Sequence, residues 1–154
     1  MTKTTEHKKK VTASKKDYLK AIWTLSERFA ENKSEAGTRD LAELLEVSPP
    51  AVSRMLKQMG QQSLVAHTPY HGTRLTEKGR EIALSIVRRH CLLELFLTEF
   101  LRYDSHFAHR EAARLEHHIS NEFEERIDAL LGFPEKCPHG SPIPSCEGNF
   151  QVFK

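Results

Sequence analysis

The segments RDLAELLE (39–46) and PPAVSRMLKQM (49–59) are separated by Val47 and Ser48 alone. Each repeats apolar residues at three- and four-residue steps, the period of a helix with one buried stripe. Leu41, Leu44 and Leu45 form the inward stripe of the first, and Val52, Met55, Leu56 and Met59 that of the second. Two helices joined so tightly must cross steeply and share a core with a third element. Thr38 is the expected N-cap of the first helix. Ser48 is that of the second, with Pro49 at the first helical position, where a missing N–H costs little. Gly60 is expected to end the second helix.

The third element precedes them. From Ser14 onward, Tyr18, Leu19, Ile22, Trp23, Leu25 and Phe29 give one apolar face, and ENKSEAG breaks the helix. After Gly60, two extended pieces, Leu64–Thr68 and Thr73–Thr76, flank a turn containing Pro69 and Gly72, the pattern of a small antiparallel wing. Three helices and a hairpin over 14–75 make a winged helix-turn-helix. In that arrangement the second helix of the pair enters the DNA major groove with its N-terminal residues at the base edges. Here those residues are Ser48, Pro49, Pro50, Ala51, Ser53 and Arg54. Arg54 offers a bidentate pair to guanine, and the Ala51 methyl and the serines suit other base edges. Thr38, Arg39, Lys57 and the wing residues His71 and Arg74 are placed for phosphate. Charge agrees: residues 1–75 hold 13 lysines and arginines against 8 acidic residues. Residues 1–13 read as a flexible basic arm. Double-stranded DNA is the expected partner.

The second half has a different character. It carries six of the nine histidines and all three cysteines. Thr76 is the expected cap of a helix, TEKGREIALSIVRRH, whose continuation CLLELFLTEFL is apolar nearly all round. Such a helix buries more than one face, and a second copy of the chain would supply the extra cover. HFAHREAARLEHHISNEFEERIDALLG reads as one last long helix ended by Gly132, followed by an irregular Pro- and Gly-rich tail. Within it His109, Ala113, Glu116 and His117 share a stripe, while His90 and Glu94 lie four apart on the preceding helix. Two antiparallel helices would bring His90, Glu94, His109, Glu116 and His117 together. Imidazole plus carboxylate suits divalent Mn, Fe, Co or Zn. The chain therefore divides into the arm, the DNA-binding domain at 14–75, a helical dimerisation and metal-binding domain at 76–136, and a tail at 137–154.

Several classes find no support. The HExxH zinc-hydrolase motif is absent, and the inverted HxxEH motif would need histidine at 113, where alanine stands. Neither a nucleophile triad nor a phosphate loop is present, so the chain is not expected to be an enzyme. It has no apolar run of about 18 residues, and its basic N-terminus lacks the apolar stretch of a secretory signal. A cytosolic protein with Cys91, Cys137 and Cys146 reduced is expected.

The phrases DYLKAIW (17–23), SPPAVSRMLKQM (48–59), LTEKGR (75–80), RRHCLLELFL (88–97), EAARLEHHIS (111–120) and CPHGSPIP (137–144) carry a resemblance. The chain resembles the diphtheria-toxin-repressor family of metal-dependent transcriptional repressors, in particular the short manganese-transport-regulator type without an SH3-like domain. The resemblance implies a mainly α fold, a winged helix followed by a helical dimerisation and metal-binding domain. It also implies ligands. Asp17 falls at the family's first-helix ligand, and Glu116 and His117 match its E-H pair. His90, Glu94 and His109 match a neighbouring site, which Cys137 and His139 join in some members. The chain departs from the pattern at Ala113, where the family has Cys or Glu, and at Lys20, where the manganese type has Glu. The implied protein is a homodimer that represses metal-uptake genes at a palindromic operator. The implied cofactor is a divalent transition metal, manganese first and zinc or iron next, bridging the two domains and fixing the recognition-helix spacing. The residues alone leave two other readings open: a metal-independent winged-helix regulator and a metal-buffering helical protein.

Overall fold

The computed structural model describes residues 11–28 and 35–145. Helix α1 spans Ala13–Trp23, and a π-helical turn continues it over Thr24–Arg28. Thr12 caps α1 by accepting from the Lys15 N–H, so ordered helix begins inside the stretch expected to be arm. Phe29 lies outside the described residues. Helices α2 (Thr38–Leu44) and α3 (Pro49–Gln61) form the tight pair, followed by strands β1 (Val65–Thr68) and β2 (Gly72–Leu75). The strands pair antiparallel with Val65 opposite Leu75 and Thr68 opposite Gly72. Ala36 adds one rung beside the wing, exchanging backbone hydrogen bonds with Thr73 at 2.8 and 2.9 Å. The rest is helical: α4 (Glu77–Glu99), α5 (Ser105–Leu115) and α6 (Asn121–Leu130).

Local chemistry accounts for the boundaries. Ser48 accepts from the Ala51 N–H at the start of α3, with prolines at its first two positions. Thr76 accepts from the Gly79 N–H at the start of α4. Three expectations are corrected. The N-cap of α2 is Gly37, and Thr38 is already helical. Helix α3 runs through Gly60 and ends one residue later, because Ser63 takes a positive φ of 56° and the Leu64 N–H closes the end on the Met59 carbonyl. The long last helix is two helices: Ser120 accepts from the Phe123 N–H to cap α6, so the chain breaks between Glu116 and Ser120. A side chain that competes for backbone N–H groups ended an otherwise continuous pattern.

The core is continuous across both halves. Leu19 and Ile22 of α1, Leu41 of α2, Leu56 and Met59 of α3, and Leu84 and Leu92 of α4 are all essentially inaccessible. Leu44, expected inside, is 48% exposed; the short α2 turns only Leu41 and Ala42 fully inward. Leu92, Leu93, Leu95 and Leu97 of α4 are buried within the single chain, and Phe100, Leu101, Tyr103 and Phe107 leave a run of apolar surface between α4 and α5. Among the described residues no helix is long and apolar enough to cross a membrane.

Helix α4 begins directly on the wing. The backbone carbonyl of Leu64 lies 2.0 Å from where a Cβ on Gly79 would sit, and Leu19 Cδ2 lies 3.3 Å from it. Gly79→Ala must push two backbones apart. The expected cost is about 1–3 kcal/mol, read as a lower midpoint in urea or thermal unfolding; an unchanged midpoint would show that this junction is not tightly packed.

Candidate metal centre and nucleic-acid interface

Every residue assigned to DNA reaches solvent. Ser48, Pro49, Pro50, Ser53, Arg54 and Lys57 are exposed on α3, as are Arg39 on α2 and His71 and Arg74 on the wing; Thr38 and Ala51 are half-buried. Val52, Leu56 and Met59 are buried on the opposite face of α3, so the exposed face is fixed by the core beneath it. Arg74 lies 3.7 Å from Glu35 and stays largely open. Tyr70 is fully exposed at the tip of the wing, a further candidate contact that sequence reasoning passed over.

The histidine and glutamate side chains gather into two groups. His90 and Glu94, four apart on α4, meet His109 of α5; their ligand atoms lie within 4.8 Å of one another. His109 Nδ1 is 2.7 Å from Glu94 Oε1, and His90 Nε2 is 3.3 Å from the same oxygen. Asp17 of α1 meets Glu116 and His117 in the second group, again within 4.8 Å. His117 Nε2 sits 2.7 Å from Asp17 Oδ1 and 3.5 Å from Glu116 Oε1. The break after α5 turns Glu116 and His117 inward at this point, whereas Ala113 is exposed and offers no donor.

His90 joins the two groups. Its Nδ1 lies 2.7 Å from Glu116 Oε2, while its Nε2 lies 3.1 Å from His109 Nδ1. Lys20 closes the second group: its ammonium donates to both Glu116 oxygens, at 3.0 and 3.2 Å. The sequence marked Lys20 only as a departure from a pattern. Its place three residues after Asp17, on the same face of α1, was the available sign that both would reach the same group of residues.

Cys137 is buried and His139 exposed, both beside the first group. His139 Nδ1 stands 3.7 Å from Glu94 Oε2. Together with Cys91, Glu94, His109 and Lys20 they line a cavity of about 680 Å³ between α1, α4 and the tail. Cys91 was expected to be a core residue; it is buried, and its thiol also faces Cys137. Cys146 lies outside the described residues.

The electrostatics follow from these contacts. Burial opposes charge on His90, but hydrogen bonds to Glu116 and Glu94 outweigh it and leave the imidazole more basic than usual. Burial alone would raise the Glu94 carboxyl; His90 and His109 bring it down to about 2. Glu116 is likewise held below the carboxylate range, burial being overcome by His90 and Lys20. The Cys91 thiol, opposed by burial and helped by the backbone N–H groups of His139 and Ser141, holds the Cys137 thiol below its ordinary range. A thiolate is the form that binds metal.

The two groups differ in fitness for a cation. His90, Glu94 and His109 present two imidazoles and a carboxylate around a cavity, a donor set suited to a divalent transition metal. In the second group the cationic place beside Glu116 is held by Lys20. A divalent ion roughly 4 Å from that ammonium would be repelled by about 8 kcal/mol at an effective dielectric of about 20. His117 Nδ1 is buried with no hydrogen-bond partner among the described residues.

An exposed recognition face on a winged helix, fused to a helical domain with a His/Glu centre, defines a metal-responsive DNA-binding protein. Residues 10–73 match the iron dependent repressor N-terminal DNA binding domain, and residues 76–145 match the iron dependent repressor metal binding and dimerisation domain. An HTH-type transcriptional regulator of Methanocaldococcus jannaschii is 39% identical over 115 residues, 75% of this chain and 90% of that protein. The diphtheria toxin repressor of Corynebacterium glutamicum is 37% identical over 127 residues, 82% of this chain and 54% of that protein. A manganese-dependent transcriptional repressor solved in complex with manganese is 42% identical, with a TM-score of 0.79 over 90% of this chain and 62% of that one. The ScaR structure with bound Zn2+ is 37% identical, with a TM-score of 0.74 over 91% of this chain and 63% of that one. The chain spans about half the length of the diphtheria toxin repressor it matches. It belongs to the iron-dependent repressor family, a family of metal-dependent transcriptional repressors rather than enzymes.

The coupled His and Glu groups set the pH response of the metal-free protein. A carboxyl lowered from 4.5 to about 2 on folding stabilises fully above about pH 4.5 and loses that contribution as pH falls toward 2. A histidine raised above 6.5 stabilises fully below 6.5 and loses its contribution as pH rises through its folded value. Chelator-stripped protein should therefore melt highest between about pH 4.5 and 6.5. Glu94→Gln should flatten the acid side; a profile in which the variant and the parent fall in parallel would count against this assignment.

Proposed function

We propose that the protein is a homodimeric, metal-dependent DNA-binding repressor. In this reading a divalent ion taken up between α1 and the α4–α5 pair fixes how the winged helix sits on the dimer. The observation that carries the reading is the convergence of His90, Glu94 and His109 beside the helix of the DNA-binding half that reaches the metal domain through Asp17 and Lys20.

The residues divide the work as follows. His90, Glu94 and His109 hold the ion, with Cys137 and His139 at hand from the tail. Asp17, Glu116 and His117 tie α1 to the second domain. When bound, the ion would supply the positive charge that locks these donors, already gathered from separate helices, in one arrangement. Two recognition helices are then held at a separation near 34–36 Å, matching half-sites one helical turn apart on a palindromic operator. Metal and DNA favour the same conformation, so each raises the affinity for the other. Manganese, iron and zinc are the candidate ions. The imidazole–carboxylate set suits all of them, and the Cys137 thiolate adds a softer donor. The manganese complex and the zinc-bound ScaR among the similar structures support this range. Operators of metal-uptake genes are the proposed targets. The apolar surface at Phe100, Leu101 and Phe107 supports a second copy of the chain as partner.

Fluorescence anisotropy of a labelled duplex from the gene's own upstream region tests the reading. Chelator-stripped protein is titrated anaerobically at fixed salt, without metal and with Mn, Fe, Co or Zn. Tight binding is expected only with metal, and Glu94→Gln should reduce the metal-dependent gain by more than roughly tenfold. Arg54→Ala should cost about 1–3 kcal/mol at its base whichever metal is present. Equal binding with and without metal would overturn the proposal and favour a metal-independent regulator.

A further inference from the structure

We infer that the Lys20 ammonium is the resident cation of the Asp17/Glu116/His117 group. The chain then takes one divalent ion per protomer, at His90/Glu94/His109, and its presence is relayed to α1 through His90, Glu116 and Lys20. The inference rests on the proposed function for its consequence, not for its geometry.

Glu116 is 1% exposed, and a carboxylate so buried must be compensated. It already is. Lys20 Nζ reaches both of its oxygens, and His90 Nδ1 reaches Oε2 at 2.7 Å. The remaining nearby donor, His117, turns its Nε2 to Asp17. Position 113, on the same helical stripe, is alanine and contributes nothing. Lys20 and Asp17 stand three apart on α1; Lys20 crosses to Glu116 and Asp17 to His117, so the group sets an ammonium and an imidazole between two carboxylates.

The two nitrogens of His90 then acquire separate roles. Nε2 faces Glu94 and His109; Nδ1 faces Glu116 at 2.7 Å, with the Lys20 ammonium farther off at 3.2 Å. A histidine that binds metal through one nitrogen presents N–H on the other, and a carboxylate accepting that proton fixes the ring and strengthens the ligand. Glu116 is that carboxylate, an orienting residue for the ion rather than a ligand of a second one. Because Glu116 is also clamped by Lys20, occupancy at His90 tightens a contact that ends on the DNA-binding half. Lys20 is thus a positioning residue, and the charge at position 20 sets how many ions the chain holds.

The test uses the full chain, stripped with chelator and titrated with cobalt(II). Absorption and elemental analysis give the stoichiometry, and circular dichroism melts establish that each variant is folded. The parent should saturate at one ion per protomer. Lys20→Glu, which replaces the ammonium with a further carboxylate beside Asp17, should saturate at two, and Lys20→Glu with His117→Ala should return to one. Lys20→Met keeps the stem without the charge. With cobalt at saturation it should lose roughly tenfold or more of the metal-dependent gain in DNA affinity. A parent stoichiometry of two, or of none, overturns the inference; so does an unchanged cobalt count in Lys20→Glu. A Lys20→Met protein with the parent's full metal-dependent gain overturns the relay. If the parent binds DNA equally with and without metal, the proposed function fails, while the cobalt counts still decide the identity of the cation beside Glu116.

Discussion

A carboxylate in the interior has to be answered by charge, and the Glu116 carboxylate is answered from two directions. His90 comes from α4, in the metal domain, and Lys20 from α1, in the DNA-binding domain. Neither contact is worth much where water can compete, but at a group 1% exposed each is costly to lose. The geometry around it therefore leaves little freedom. α1 must stay in reach of the turn after α5, that turn must interrupt the last helix at residues 116–120, and the His90 ring must present Nδ1 to the carboxylate. The candidate metal centre lies on the other side of the same ring, so whatever happens there is felt at a point common to both domains.

The centre is also a study in opposed terms. Burial disfavours charge on His90, Glu94 and Glu116 alike, yet each is more readily charged than usual because its neighbours carry the complementary sign. A cluster with this property is pre-formed in the absence of a ligand. The donors do not have to be gathered from solvent, which reduces the ordering that binding would otherwise require. The rings of His109 and His139 are exposed and line the same cavity.

Much of this was legible in the chain. The caps at Ser48 and Thr76, the three-helix core and the two-stranded wing follow from periodicity and from residues whose side chains compete for backbone N–H groups. The exposed face of α3 follows from the buried one. The failures are local and share a cause. Gly60 was read as a stop, but a glycine inside a helix is merely costly, and the stop was Ser63 in a left-handed conformation. The apolar pattern ran unbroken through 116–120, and the cap at Ser120 was overlooked because period outweighed it. The donor spacing on the two helices brought five donors together, and the resemblance divided them between two sites; the structure gathers them in those two groups, joined by the His90 ring, and no linear pattern reports which way an imidazole turns. Likewise Lys20 looked like a misfit so long as only ligands were being sought, and became intelligible once a buried carboxylate was found in front of it.

Helix α4 carries a mechanical consequence. Strand β2 ends at Leu75, Thr76 is the cap, and the helix proper begins at Glu77. The Thr76 hydroxyl donates to the Ser63 carbonyl, and the Thr76 N–H donates to the Leu64 carbonyl. The domain boundary is thus a welded corner rather than a joint. α4 has 23 residues, a rod of roughly 35 Å at about 1.5 Å per residue, with the wing fixed at one end and His90 and Glu94 in its second half. A lever of this kind does not absorb a small displacement along its length. A shift too slight to notice at the donors would arrive at the wing enlarged, and the response of the recognition face would be set by the stiffness of one helix rather than by the slack of a linker.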